Sequence, residues 1–361
     1  MNQIFWRNRK VLITGHTGFK GGWLSLWLQH LGADVVGVSL DPPTTISMYE
    51  QADVKKRMTS LRQDIRDGNK IKQLFKKYKP EIVFHLAAQP LVRYSYQNPV
   101  ETYETNVMGT LHILEGIRSI STVRAAVMVT TDKCYDNKEW EWGYRENDTL
   151  GGHDPYSSSK GAAELLIYSY RNSYFSMDKY DEHKTAIASV RAGNVIGGGD
   201  WAEDRLIPDI VRAFQDNEEV VIRNPKSTRP WQHVLEPLSG YLKLAEKLES
   251  NGRHYAQAWN FGPADVDARS VQWIVEKMAK LWGENANWIV DKNKHPYEAN
   301  YLKLDCSKAH MKLNWYPSWD LSQALLSIVE WHKFKDLNGN YRKLCLTQIN
   351  EYMKSMNNGN C

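Results

Sequence analysis

Two stretches carry side chains whose types and spacing could do acid–base chemistry. In YSSSK, Tyr156 and Lys160 stand one helical turn apart, so both lie on one helix face. An ammonium placed there can lower a phenol's pKa from about 10 and hold a ribose hydroxyl, and a phenolate near neutrality is a good base for an alcohol proton. In TTDKCYDN, Thr131, Asp132 and Lys133 follow directly on the strand-like run VRAAVMV. A hydroxyl at that strand end can share the hydrogen bond of the alcohol that the tyrosine deprotonates. An acid and a base presented side by side after a buried strand ask for more than a solvated loop, the usual home of such charges. Each signal alone is common. A second copy of the spacing, YDEHK, puts Tyr180 and Lys184 in a polar stretch ahead of a strand, and there it reads as surface. YSSSK instead opens a long helix with Thr131 upstream at a strand end, and the combination is specific where each part is not.

A third stretch supplies a place for a cofactor. TGHTGFKGGW sets Gly15, Gly18 and Gly21 between a strand and a helix, with Thr17 and Phe19 in the same loop. Glycines let the backbone approach a pyrophosphate, and the helix start offers free N–H groups and a positive dipole end. The second strand ends VVGVSLDPP, which puts Ser39 where an acidic residue usually holds the adenosine ribose, with Asp41 just beyond. No arginine follows closely to receive a 2′-phosphate, so NAD is expected rather than NADP. QDIRD offers Asp64 and Ile65 to the adenine, with a plain polar loop as the alternative. HLAAQ supplies small residues, Ala87 and Ala88, where a cofactor crosses the strand ends.

The elements that must position these groups alternate. KVLIT, DVVGVSL, EIVFHLA, VRAAVMV, TAIASVRA and AWNFGP read as buried strands. FKGGWLSLWLQHLG, NKIKQLFKKY, VETYETNVMGTLHILEGIRS and the segment from Tyr156 read as helices between them. That order predicts a Rossmann-type, doubly wound α/β parallel sheet with ligands at the carboxyl ends of the strands. It spans residues 1–194 with segments near 229–262, and a smaller mixed domain takes 195–228 and 263–361. The 361 residues carry a formal charge of only +4 without a basic stripe, so no nucleic-acid partner is expected. Apolar runs fall far short of the roughly 20 residues of a membrane span, and the N-terminus enters a strand without a signal-like segment, so a cytoplasmic protein is expected. Cys134, Cys306, Cys345 and Cys361 are scattered, which suggests reduced thiols and no metal site.

The strings GHTGFKGGWL, TTDKCYDN, PYSSSKGAAE, GNVIGGGDWAEDRLIPD, RPWQHVLEPL and NYLKLDCSKA, with Gly15, Gly18, Gly21, Thr131, Tyr156 and Lys160 among them, resemble the extended short-chain dehydrogenase/reductase family. Within it they are similar to the sugar-nucleotide 4,6-dehydratases that take CDP-glucose. The resemblance runs from roughly residue 8 to 320. It implies oxidation at the sugar C4, loss of water across C5 and C6, and return of the hydride to C6, with NAD bound throughout. It also implies a place in 3,6-dideoxyhexose and lipopolysaccharide O-antigen synthesis. On this reading Tyr156 takes the C4 hydroxyl proton, Thr131 holds that oxygen, Asp132 is the acid for the C6 hydroxyl and Lys133 the base at C5. The broader pattern has Asp-Glu here, and a lysine base must be depressed from about 10.4 by burial or by Lys160. Asp132 in turn must be raised by a dry site. The alternative for Lys133 is to bind a phosphate or neutralise Asp132.

The resemblance assigns the nucleotide sugar to the second domain, with Asn194, Arg205, Leu206, Arg229 and Glu298 as candidate contacts and His295 near the last. The arginines suit a diphosphate or a ribose, and their plainer reading is surface charge. His233 is expected to be structural. Residue physics does not distinguish the base. An epimerase or simple dehydrogenase would need the tyrosine and lysine but no acid–base pair beside Thr131. A non-catalytic dinucleotide sensor would lack the Tyr–Lys pair. A homodimer or homotetramer is expected, with the helix around VETYETNVMGTLHILEGI and the helix from Tyr156 as interface elements.

Overall fold

Side-chain alternation along the apolar strands divides the main core into two layers. Strands β1 (Lys10–Thr14), β2 (Asp34–Ser39), β3 (Thr59–Arg62), β4 (Ile82–His85), β5 (Ala125–Val129), β6 (Ala186–Arg191) and β7 (Ala258–Asn260) form one sheet in the order β7-β6-β5-β4-β1-β2-β3. Every neighbouring pair in it is parallel. Val11, Ile13, Phe84, Val127 and Ala188 face one layer; Leu12, Val83, Ala126, Met128 and Ile187 face the other. The first layer is covered by α1 (Phe19–His30), contributing Trp23 and Trp27. The second is covered by α2 (Gly68–Tyr78), α3 (Gly109–Arg118) and α4 (Pro155–Ser173), contributing Phe75, Ile113 and Ile167. The strand order reverses between β1 and β4, and the crevice at their carboxyl ends is where such sheets bind ligands. The computed structural model that gives this arrangement describes residues 1–283, 286–291, 301–334 and 339–358.

The expected long helix after residue 99 is continuous but not uniform. A π-helical segment, Glu104–Met108, separates Pro99–Tyr103 from α3, and it carries Asn106 into the core. Beyond β6 a second core forms from α5 (Leu206–Gln215), the short strands Val220–Ile222 and Trp288–Val290, and two helices nearer the C-terminus. Between the two cores, Val195–Ile196 pairs in parallel with Gln232–His233, and α6 (Leu235–Tyr255) returns the chain to the first layer, contributing Leu238, Tyr241 and Leu242. The remaining helices of the second core are α7 (Val271–Trp282) and α8 (Leu321–Lys333).

One boundary differs from the expectation. The tract 263–361 does not belong wholly to the second unit: Leu304, Cys306, Trp315 and Trp319, and Cys345, Ile349 and Tyr352 of α9 (Tyr341–Asn358), pack in the first core. The physical reason is a buried acid. Glu236 on α6 accepts the backbone N–H groups of Ser318 and Trp319 and, at 2.6 Å, the hydroxyl of Tyr352, so satisfying that carboxyl draws three distant segments together. Burial pushes the Glu236 carboxyl up to about 7.

Among the described residues no helix is long and apolar enough to cross a membrane, and no His, Cys, Asp and Glu cluster could hold a metal ion. Cys134, Cys306 and Cys345 are free and buried. Burial pushes their thiols well above the ordinary range, which fits inert packing.

Candidate active site

The glycine loop leaves β1 and starts α1. Gly15 sits at φ 79°, donates its N–H to Val38 O at 2.9 Å and lies so close to Ala87 that a methyl there would meet Ala87 N at 2.8 Å. A methyl on Gly21 would collide with the Gly15 carbonyl, so the first helical turn can fold over the loop only with glycine at both places. Gly18 is the N-cap of α1 and provides no side-chain cap, which leaves the first-turn N–H groups for a ligand. Phe19 begins the helix, and its ring packs where a methyl on Gly197 would reach it at 2.9 Å. The loop, the uncapped helix and the crevice beside Ala87 and Ala88 fit a dinucleotide pyrophosphate.

The adenosine side is more particular. The Ser39 hydroxyl lies 2.7 Å from Thr17 Oγ1, which donates to Leu40 O at 3.0 Å. Asp64 is already held by Arg66, whose Nε and Nη2 donate to its Oδ2 at 2.9 and 2.7 Å; burial raises the carboxyl but these bonds outweigh it and leave the pKa lowered. Ile65 is buried, and its carbonyl lies 3.0 Å from His112 Nδ1. The arginine that chain order did not bring near Ser39 is present in space: Arg62 is its ladder partner on β3.

Tyr156 and Lys160 are on α4, which Pro155 opens and Asp154 caps. Both side chains are buried, at 7 and 6 % exposure. Burial pushes the phenol up to about 12, with the Thr131 hydroxyl and Arg205 pulling it down and Asp132 pushing it up. Lys160 falls to about 8 because burial penalises its charge. The expectation that the ammonium holds the phenol near neutrality is therefore not met by the chain alone: desolvation dominates, and the cation that pulls the phenol down is Arg205. The other YxxxK is what it was expected to be: Lys184 is exposed, bonds Asp181 and lies over the Tyr180 ring at 5.7 Å.

Thr131 and Asp132 are buried against this pair, and Lys133 is not. Thr131 caps the short helix Asp132–Cys134, accepting the Lys133 N–H at 3.3 Å, and donates to Asp132 Oδ1 at 3.0 Å. Asp132 Oδ2 is buried without a partner, and a side chain at Gly193 would run into it. Among the described residues that oxygen has no hydrogen-bond partner, and it packs against the Gly193 backbone. The burial invoked for Lys133 is not supplied by the protein, because its side chain is exposed. The partly buried lysine is Lys20, from the glycine loop. It is lowered to about 8 by burial and Arg205, with Asp132, Lys160 and Asp200 as further electrostatic neighbours. Arg205 donates to Asp200 Oδ2 at 3.0 Å and lies within electrostatic reach of Tyr156.

Other candidates divide. Asn194 is half-buried just past β6, its carbonyl accepting Gln232 N. Leu206 packs half-buried on the second core. Arg229 lies in the strand Thr228–Pro230, paired with Arg269 and donating to Thr228 O at 3.0 Å; Pro230 approaches the Gly193 backbone. Glu298 and His295 lie outside the described residues. His233 is buried between Trp23 and Trp319 and lowered to about 3 by burial, in keeping with a packing role.

Sequence reading missed the supports. Asn106 Nδ2 donates to Gln89 O at 3.0 Å and Ser159 Oγ at 2.9 Å, tying the π-segment to the Ala87–Ala88 loop and to α4. His85 bridges Thr14 and Thr110 at 2.7 and 3.0 Å. Glu164 is bonded by Thr130 Oγ1, Ser189 Oγ and Arg191 Nη2, anchoring the residue before Thr131. Polar residues inside apolar runs were the available signal.

The profile of the GDP-mannose 4,6-dehydratase family matches residues 12–327. The CDP-glucose 4,6-dehydratase of Salmonella typhimurium (strain LT2) is 55% identical over 356 residues, 98% of this chain and 99% of the relative. Among solved structures, the protein MoeE5 in complex with UDP-glucuronic acid and NAD superposes at TM-score 0.74 with 25% identity, covering 89% of this chain and 98% of that one. The dTDP-glucose 4,6-dehydratase of Bacillus anthracis in complex with NAD gives TM-score 0.72 with 19% identity, covering 90% and 96%; at that identity the likeness concerns the fold.

Proposed function

The chain belongs to the GDP-mannose 4,6-dehydratase family, and we propose that it is an NAD-dependent hydro-lyase converting CDP-glucose to CDP-4-keto-6-deoxyglucose. The observation that carries this reading is Asp132. An epimerase or dehydrogenase requires Tyr156 and Lys160 but has no use for a buried, unpartnered carboxylate oxygen beside Thr131. A relative 55% identical over nearly the whole chain supports CDP-glucose as the substrate.

When bound, NAD brings a cationic nicotinamide that accepts the C4 hydride and gives it back at C6, so no net oxidant is needed. Tyr156 takes the C4 hydroxyl proton while Thr131 keeps that oxygen in place. Lys160 and the glycine loop hold the cofactor's ribose and pyrophosphate. The 4-ketone acidifies C5–H, Lys133 takes that proton, Asp132 in its protonated form gives its proton to the C6 hydroxyl, and the C6–O bond breaks to release water, leaving an Asp132 carboxylate that is reprotonated before the next turnover. Lys133 then returns a proton to C5. Its exposure in the free chain is compatible with this role when the sugar covers it; its second reading is as a charge partner of the substrate diphosphate. Arg205, Arg229 and Asn194 are assigned to the nucleotide sugar. The positive charges of Lys20, Lys160 and Arg205 outnumber the Asp200 carboxylate, which favours a diphosphate there.

The test is incubation with CDP-glucose and catalytic NAD. Loss of one water without accumulation of reduced cofactor supports the reading; accumulation without water loss means a dehydrogenase. Activity only with dTDP-, GDP- or UDP-sugars would move the substrate assignment. We place the reaction in the cytoplasm, in the supply of 3,6-dideoxyhexoses for lipopolysaccharide. A homodimer through exposed Val100, Tyr103, Met108, Leu165 and Tyr168, or a tetramer built on it, completes the proposal, and light scattering decides it.

A further inference from the structure

The end of α1 opposite the glycine loop meets two other segments, the turn Val54–Arg57 and the start of α9, around a cavity of about 420 Å³. Since α1 is 12 residues long, about 18 Å of helix separates this cavity from the loop. Its charged lining is entirely basic: His30 from α1, Lys56 and Arg57 from the turn, and Arg342 and Lys343 from α9. Among the described residues no carboxylate lines it, and the nearby Glu50 is paired with Lys55 at 3.7 Å. Like charges brought together from three segments repel, so other contacts must hold them. Arg342 is the fixed member: its Nη1 donates to Asp53 O at 2.8 Å and its Nη2 to Gln29 Oε1 at 2.7 Å, while Gln29 Nε2 donates to Val54 O at 2.9 Å. His30 Nε2 lies 2.8 Å from Asn350 Oδ1, and the Asn340 side chain accepts the Lys343 N–H at 3.0 Å. Burial, and then the Arg57 charge, hold the Arg342 guanidinium below its ordinary value, with Asp53 opposing them. The cations therefore converge on one concavity with repulsion among them left uncompensated.

We propose that this cavity is a second phosphate site, which takes an oligophosphate anion, a diphosphate or triphosphate either free or carried on a nucleoside. Each phosphate brings about one to two negative charges, so two or three of them balance Lys56, Arg57, Arg342 and Lys343, where one would leave part of the ring unpaired. The Arg57 guanidinium offers a fork for paired bonds to phosphate oxygens and the lysines act as point charges. The cavity falls within the range of small-molecule sites, about 300–1,000 Å³, and Leu346 and Thr347 on α9 give it a wall against which a nucleoside can lie. An anion there joins the end of α1, the turn and α9, so it stabilises the docking of the C-terminal helix. None of these residues belongs to the cleft that holds Tyr156 and Asp132.

The measurement is calorimetric titration of the full chain with sodium tripolyphosphate, in saturating NADH so that the glycine-loop crevice is filled. The expected dissociation constant is below about 100 μM at low salt, weakening at least about three-fold when salt is raised to physiological strength. The double variant Lys56→Ala, Arg57→Ala is expected to lose affinity at least about ten-fold, and Lys343→Ala about three-fold, with NADH affinity unchanged. All three side chains are exposed, so the variants are expected to fold, and melting without phosphate checks this. ATP run in the same way separates the two sources: binding as tight as tripolyphosphate assigns a nucleotide, and much weaker binding assigns the free anion. No saturation by tripolyphosphate below about 1 mM overturns the site. Variant affinities within about two-fold of wild type overturn it as well, because the probe then sits among Lys20, Lys160 and Arg205 in the cleft.

Discussion

Replacing Asp132 by asparagine separates the elimination from the oxidation. The substitution keeps the shape of the side chain. Its amide oxygen can still accept from Thr131, as Oδ1 does at 3.0 Å, and the amide nitrogen takes the place of an oxygen that has no protein partner. The cost to the fold is therefore below about 1 kcal/mol. What is lost is a proton donor for the C6 hydroxyl. General acids contribute typically about 10²–10⁴ in rate, which is about 3–5 kcal/mol of transition-state stabilisation. With CDP-glucose and one equivalent of NAD, the variant is expected to accumulate reduced cofactor, seen by its near-ultraviolet absorbance, while water loss by mass slows at least about 100-fold. In deuterated water the C5 hydrogen should still exchange, because Lys133 is intact. The Lys133→Ala variant should lose that exchange as well. Water loss by Asp132→Asn within about three-fold of wild type would refute the assignment of the acid.

Three other outcomes follow from burial and packing. Lys160→Met should abolish turnover yet stabilise the cofactor-free protein at pH 7 by about 1–3 kcal/mol. The wild-type ammonium is charged in both states below its depressed value of about 8, so it carries the full penalty there. Between about pH 8 and 10.5 the unfolded chain binds more protons, so wild-type stability recovers and the advantage of the variant shrinks; urea melts across that range check the sign. Acid should unfold the protein steeply. His85, His233 and His332 are lowered to about 3 and His16 to about 4 by burial, so the unfolded state takes up protons as pH falls below about 6.5. Each can remove up to about 1.4 kcal/mol per pH unit, and Glu236, raised to about 7, opposes one of them. A far-ultraviolet circular dichroism titration should show the transition between about pH 4 and 6. Gly21→Ala should lower NADH affinity at least about ten-fold with the secondary structure retained, since the new methyl meets the Gly15 carbonyl and opens the loop.

The parts of the site legible in the sequence are those whose geometry is local. Tyr156 and Lys160 share a face because a helix repeats every 3.6 residues, and Thr131 leaves a strand because VRAAVMV is apolar and short. The catalytic segment and the glycine loop then had to meet at the sheet's carboxyl edge, as any parallel strand–helix–strand order requires. The supports were less legible. Asn106 is a polar residue in an amphipathic helix until the π-segment turns it toward Gln89 and Ser159. Glu164 is a helix-face acid until the partners just past β5 and on β6 are known.

The sequence by itself determined the element order, the parallel sheet, the glycine loop and the candidate acid–base groups, because periodicity, glycine conformation and side-chain chemistry are properties of short segments. Only the tertiary structure decided which charges are dry. It exposed Lys133 and brought Lys20 within electrostatic reach of Asp132, and it raised Tyr156 where the Arg205 charge alone would have lowered it. It set Arg62 against Ser39 and drew α9 into the first core through Glu236. Each of these depends on which strands are neighbours and on how much water the packing excludes, and desolvation is a sum over the whole fold that no local run of residues contains.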